Sequence, residues 1–144
     1  MKQFSGILIM LILAITLVGC VSGQAGDISI INSWEMEFAT DAVGNLLAAS
    51  TNNEDFTGEK MDVVVRFSED GTFILTNLSS NESWDGTFEK KTSADNATLF
   101  EVTFADGAVA DAVVGKREYE SGNQVGSLTL SLEDRIVSFI EKED

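Results

Sequence analysis

In Met61-Asp-Val-Val-Val-Arg-Phe67, the residues Met61, Val63, Val65 and Phe67 fall on one face of an extended chain, and Asp62 and Arg66 fall on the other. A period of two marks a strand with one face in a core and one in water, and it excludes an amphipathic helix over the same residues. Ser68-Glu-Asp-Gly71 supplies a turn ending in Asp-Gly, after which Phe73 and Leu75 resume the inward face, which predicts a hairpin. The grammar recurs along the chain. Trp84, Gly86 and Phe88 share a face, and Phe100, Val102 and Phe104 alternate with Glu101 and Thr103 before a second turn at Asp106-Gly107. Leu128, Leu130 and Leu132 alternate with Thr129 and Ser131, and Glu133-Asp134 turns the chain into a closing strand over Arg135 to Ile140. With an opening strand around Ile30 to Phe38, the count reaches about eight strands, at the spacing of an antiparallel barrel or sandwich. Ala42 to Ser50 fits a short helix, a lid or a second strand equally well.

The first residues follow different rules. Lys2 and the amino terminus precede Ile7 to Val18, an apolar run shorter than the roughly 20 residues that span a bilayer. This is the form of a secretory signal, to be left out of fold reasoning. Leu17-Val18-Gly19-Cys20 resembles the lipobox of prokaryotic lipoproteins. The resemblance implies a diacylglycerol thioether on Cys20 and cleavage just before it, so that residues 1–19 are a lipoprotein signal peptide. An uncleaved anchor, or an ordinary signal cut near Gly23 or Ala25, are the other readings of the same residues. Residues 20–27 then form the lipidated cysteine and a flexible leash rich in Gly and small polar residues, and 28–144 form the domain. Cys20 is the only cysteine, so the domain has no internal disulfide and holds together by packing alone. The expected location is extracytoplasmic, on a membrane of the cell envelope through the anchor at Cys20.

Charge narrows the partners. The chain carries 9 basic and 24 acidic residues, and loss of Lys2 with the leader makes the mature balance 8 − 24 = −16. Such a surface repels phosphate backbones, which excludes nucleic acid as a partner. The plain reading of the acidity is solubility.

Catalytic chemistry has little to work with. There is no histidine, and the one thiol is consumed by lipid, so the usual general base, nucleophile and soft metal ligand are missing. Glu35 and Glu37 share the strand face opposite Trp34, but two carboxylates among 24 acids are expected by accident, and the better reading is a solvated strand face. Thr51-Asn-Asn-Glu-Asp55 is oxygen-rich yet lacks the spacing and central Gly of an EF-hand loop, so it reads as a polar turn, and no metal or cofactor is expected. Asn77-Leu-Ser79, Asn81-Glu-Ser83 and Asn96-Ala-Thr98 match the N-glycosylation pattern, which matters only in a host that glycosylates exported proteins. Arg117 and Tyr119, in Lys116-Arg117-Glu118-Tyr119, bring a cation and an aromatic face together as a candidate contact for an anion or a sugar ring. The competing reading pairs Lys116 and Arg117 with their neighbours Glu118 and Glu120. The large aromatic residues are mostly core; Trp34, Trp84, Phe73 and Phe100 are the candidates to line a ligand cavity if the barrel has an open mouth.

A family resemblance gathers these pieces. The Trp of Ile31-Asn-Ser-Trp34, FSEDGTFILT at Phe67 to Thr76, WDGTFE at Trp84 to Glu89, and GSLTLS at Gly126 to Ser131 before an apolar last strand are similar to small lipocalin-like domains of prokaryotic envelope lipoproteins. The resemblance implies an up-and-down calycin-type barrel, and the residue types already described give no expectation of catalytic activity. Two functions are open to such a barrel, since one of about eight strands is either filled by its own side chains or holds one small ligand. The expectation is a filled barrel acting as an interaction or structural module of the envelope. The alternative is a binding protein for a small apolar or amphipathic ligand.

Overall fold

A computed structural model describes residues 28–143. The leader, Cys20 and the leash lie outside the described residues. The chain forms β1 (Ser33–Thr40), β2 (Leu46–Ala49), β3 (Glu59–Lys60), β4 (Val63–Phe67), β5 (Thr72–Asn77), β6 (Glu82–Ser93), β7 (Ala97–Phe104), β8 (Val109–Glu118), β9 (Gln124–Ser131) and β10 (Ile136–Glu141). From β4 to β10 each strand pairs antiparallel with the next, and β1 pairs with both β4 and β10. Eight strands, β1 and β4 to β10, therefore close into an up-and-down antiparallel barrel. Closure leaves no free edge on those strands.

β1 serves two partners along one of its edges. Its first residues, Ser33 to Glu35, pair with β4, and its last, Phe38 to Thr40, pair with β2. The stretch around Ala42 to Ser50 is thus a turn and a short strand, not a helix. β2 carries β3 parallel to it, and β3 is only the charged pair Glu59 and Lys60, which blunts the one edge left open. Where β1 changes partner its register to β10 slips between Met36 and Phe38, so Glu37 is a bulge residue, and its carbonyl accepts from Ser50 N at 2.9 Å.

The inward faces are those that alternation marks. Val65 and Phe67 on β4, Phe73 on β5, Val102 on β7, Leu128 and Leu130 on β9 and Phe139 on β10 are all buried. The phenylalanines make a continuous ladder through the lumen. Centroids lie 6.0 Å apart for Phe100 and Phe88, 5.1 Å for Phe88 and Phe67, 5.7 Å for Phe67 and Phe73, and 5.2 Å for Phe73 and Phe104. Most are edge-to-face, the arrangement aromatic quadrupoles prefer. Gly86 makes room for this ladder, because a Cβ there would stand 2.9 Å from the Phe73 ring.

One turn design is used four times. In Asp41–Asn45, Ser68–Thr72, Phe104–Ala108 and Tyr119–Asn123 the first residue's N–H donates to the fifth residue's carbonyl, and the glycine at the fourth position donates back to the first. Gly44, Gly71, Gly107 and Gly122 all have φ between 84° and 93°, which a side chain resists. Aspartates pin three of these turns: Asp41, Asp70 and Asp106 each accept from a backbone N–H two residues ahead, at 3.0, 3.1 and 2.9 Å.

The two ends of the barrel differ. At one end Ile28 to Asn32 cross beneath the strands, in place of the first residues of the expected opening strand. Ile30 is buried, its carbonyl accepts from Trp34 Nε1 at 3.1 Å, and Asn32 donates to the Glu141 carboxylate. The Trp34 ring lies beside Gly126, where a side chain would meet it and Glu141. This end is sealed. The other is open.

Candidate functional site

The open end holds a cavity of about 400 Å³. Strand direction brings its walls together: Ala39 near the end of β1, Val63 at the start of β4, Leu75 at the end of β5, Trp84 at the start of β6, and Phe104 at the end of β7. Met36, Met61 and Leu132 add flexible apolar surface, and Val137 and Phe139 of β10 complete the wall. Polar groups are confined to Asn77, Asp106 and Arg135, the last two in the turns that join β7 to β8 and β9 to β10. A concave, largely apolar pocket of this size with a few polar groups at its rim is the common form of a small-molecule site.

The rim's charges are arranged, not scattered. Arg135 grips Asp134 through Nη2 to Oδ2 at 2.9 Å and Nε to Oδ1 at 3.2 Å, a two-pronged contact that suits a planar guanidinium. The hydrogen bond from Arg135 holds Asp134 below the usual carboxylate range. Asp134, with the charge of Glu59 behind it, holds Arg135 above its ordinary value. Asp106 accepts from Ala108 N with Oδ1 only, and its second oxygen has no hydrogen-bond partner among the described residues.

No family model, curated protein or solved structure matches the chain. What ties it to the lipocalin-like resemblance is the architecture, a closed antiparallel barrel of eight strands entered by a buried tryptophan on the first strand.

Of the four aromatic candidates for a cavity lining, the structure brings only Trp84 to the mouth, where it is 42% exposed. Trp34 is fully buried in the sealed end, Phe73 is buried behind the cavity wall, and Phe100 is half-buried and packs against Phe88 at the far end of the ladder. In sequence Met61 and Leu75 read only as inward-facing strand residues, Asp106 as a turn residue and Arg135 as the start of the closing strand. The signal they share is position: all lie near strand ends or in turns at the same end of the barrel.

Arg117 and Tyr119 sit elsewhere. Arg117 does not pair with Glu118 or Glu120; its Nη1 bonds Glu37 Oε2, although β9 and β10 stand between the two strands. Tyr119 OH lies 3.4 Å from Glu37 Oε1. Partial burial pulls the guanidinium pKa down, and the hydrogen bond and charge of Glu37 outweigh it and raise the value overall. The bulge explains the contact, since an extra residue in β1 re-aims Glu37 away from the regular pleat. A shallower depression of about 390 Å³ surrounds this pair and includes Glu35, Asn52 and Asn53, but its one cation is already satisfied. Glu37 is equally committed, so Glu35 and Glu37 do not form a free carboxylate pair. In the polar turn, Thr51 donates to the Asp62 carboxylate at 2.8 Å, and no group of three metal-ligating side chains converges there among the described residues.

Proposed function

We propose that the protein binds a small apolar or amphipathic ligand in the mouth of the barrel, without catalysis, and is carried outside the cytoplasm on a lipid anchor at Cys20. The observation that carries this reading is the cavity: about 400 Å³, walled by Val63, Leu75, Trp84 and Phe104, and open at the end opposite the Trp34 seal. It favours the ligand-binding alternative over the filled barrel, because a close-packed interior leaves few voids larger than a water molecule. The absence of histidine and the engagement of Glu37 by Arg117 are consistent with a binding role.

The two tryptophans supply the test. Trp34 is shielded and reports on the fold, whereas Trp84 is exposed at the mouth and reports on the ligand. Mild extraction should co-purify a hydrophobic compound detectable by mass spectrometry. Adding it back should shift the Trp84 emission, protect Trp84 from acrylamide quenching and raise the melting temperature by mass action. A protein that purifies empty, and whose emission and melting temperature ignore a panel of alcohols, lipids and sterols, would defeat the reading.

A further inference from the structure

Strand direction also sorts the charges. β4, β6, β8 and β10 all run from the mouth towards the sealed end, and Arg66, Lys90, Lys91, Lys116, Arg117 and Lys142 all lie late in these strands or just after them. Lys60 and Arg135 are the remaining basic residues among those described, and only Arg135 lines the cavity. Its charge is offset by Asp134 in direct contact and by Glu59 nearby. Among the cavity's lining residues, an anionic head group would find no unpaired cation to receive it.

A cationic head would find two partners in the lining of the mouth. The pairing of β6 with β7 runs to Gly86 opposite Phe104, and Ala105 N donates to Asp85 O at 2.9 Å just beyond. Trp84 precedes Asp85 and Asp106 follows Ala105, and Trp84 and Asp106 both line the cavity. An exposed indole and a carboxylate with a free oxygen lining one mouth can together receive an alkylated ammonium: the ring face attracts the cation through its quadrupole and the carboxylate through its charge. The apolar cavity behind them takes the hydrocarbon. The chain's net charge of −15 adds a field that concentrates cations and repels anions.

We infer that the mouth selects amphiphiles with a positively charged head, of the alkylammonium class, over fatty-acid-like anions. This rests on the ligand-binding reading, and the experiment separates the two. The full chain is held on phosphatidylcholine nanodiscs, with empty discs as the blank. Decyltrimethylammonium, decan-1-ol and decanoate are titrated below their micellar concentrations, with Trp84 emission as the readout and free ligand measured by dialysis. Decyltrimethylammonium should bind at least about fivefold more tightly than decanoate, with decanol between them. Asp106→Asn should remove most of the advantage of the cation over decanoate, and 1 M salt should narrow the gap between cation and anion. If decanol binds while decanoate matches or exceeds the cation, or if Asp106→Asn leaves their ratio unchanged, the inference fails and the cavity reading stands. If none of the three binds, decanol included, both fail.

Discussion

Gly86→Ala tests the packing that shapes the cavity wall. A Cβ on Gly86 would stand 2.0 Å from the Thr103 carbonyl oxygen, 2.9 Å from Phe104 Cα and 2.9 Å from Phe73 Cε1. Two of these neighbours are backbone atoms of β7, held by antiparallel pairing on both sides, and the third belongs to a buried ring. None of them can swing aside as a flexible side chain would. Overpacking a core by one methyl usually costs about 1–3 kcal/mol, and the carbonyl contact places this site at or above the upper end, about 3 kcal/mol. Gly44→Ala is the control: nothing lies within 4 Å of the added Cβ, and only its φ of 93° opposes the change. That should cost about 1–2 kcal/mol. Urea denaturation followed by tryptophan emission should therefore place Gly86→Ala well below Gly44→Ala, and the thermal midpoint of the former should drop by roughly 10 °C. Because Phe104 is also cavity wall, the variant should bind the mouth ligand more weakly even where it is folded. A Gly86→Ala protein as stable as Gly44→Ala would refute the account of how β6 and β7 pack.

Cys20→Ser should leave the precursor unprocessed and unacylated, while mass spectrometry of the wild type should find a mature chain that begins at acylated Cys20; a soluble mature protein starting beyond Cys20 would overturn the anchor. Residues 27–144, made without the leader, should fold alone to a β-type circular dichroism spectrum that reducing agent does not alter, and a helical spectrum would contradict the barrel. Acid should weaken the fold from about pH 4 downwards. Hydrogen bonds hold Asp41, Asp70 and Asp134 below their ordinary value of 3.8, chiefly from Asn45, Thr72 and Arg135 respectively, so the unfolded chain takes up protons first as pH falls. The melting temperature at pH 2.5 should lie below that at pH 5, and Asp70→Asn should reduce the difference.

Much of this barrel can be read from local pattern. Val63, Val65 and Phe67, or Leu128 and Leu130, declare their inward face by period alone, and Ser68-Glu-Asp-Gly71 declares its turn because only glycine takes the required φ cheaply. What pattern does not carry is anything that depends on the third dimension. The bulge at Glu37 exists because β1 must change partner from β4 to β2, and it joins Glu37 to a residue 80 positions away, where neighbouring Glu118 and Glu120 looked sufficient. Trp34 and Trp84 are alike as inward-facing aromatics in sequence, yet one is sealed by Ile30 and the other is left at the mouth, because the crossing segment Ile28 to Asn32 covers only one end. The cavity is space that side chains leave unfilled, and no single strand records it.

The closure of β1 on β10 also sets the order in which the molecule can form. Trp34 pairs with Glu141 and Thr40 with Ile136, and Asn32 reaches across 109 positions to Glu141, so the earliest strand finds its partner in the latest. Val137 and Phe139, which complete the core, arrive with that same strand. Contacts this far apart in sequence fold in milliseconds to seconds, not microseconds, because a long loop must close before any of them forms. On the export route proposed above the delay has a consequence: while the last strand is still on the near side of the membrane, the part already across has no barrel to close.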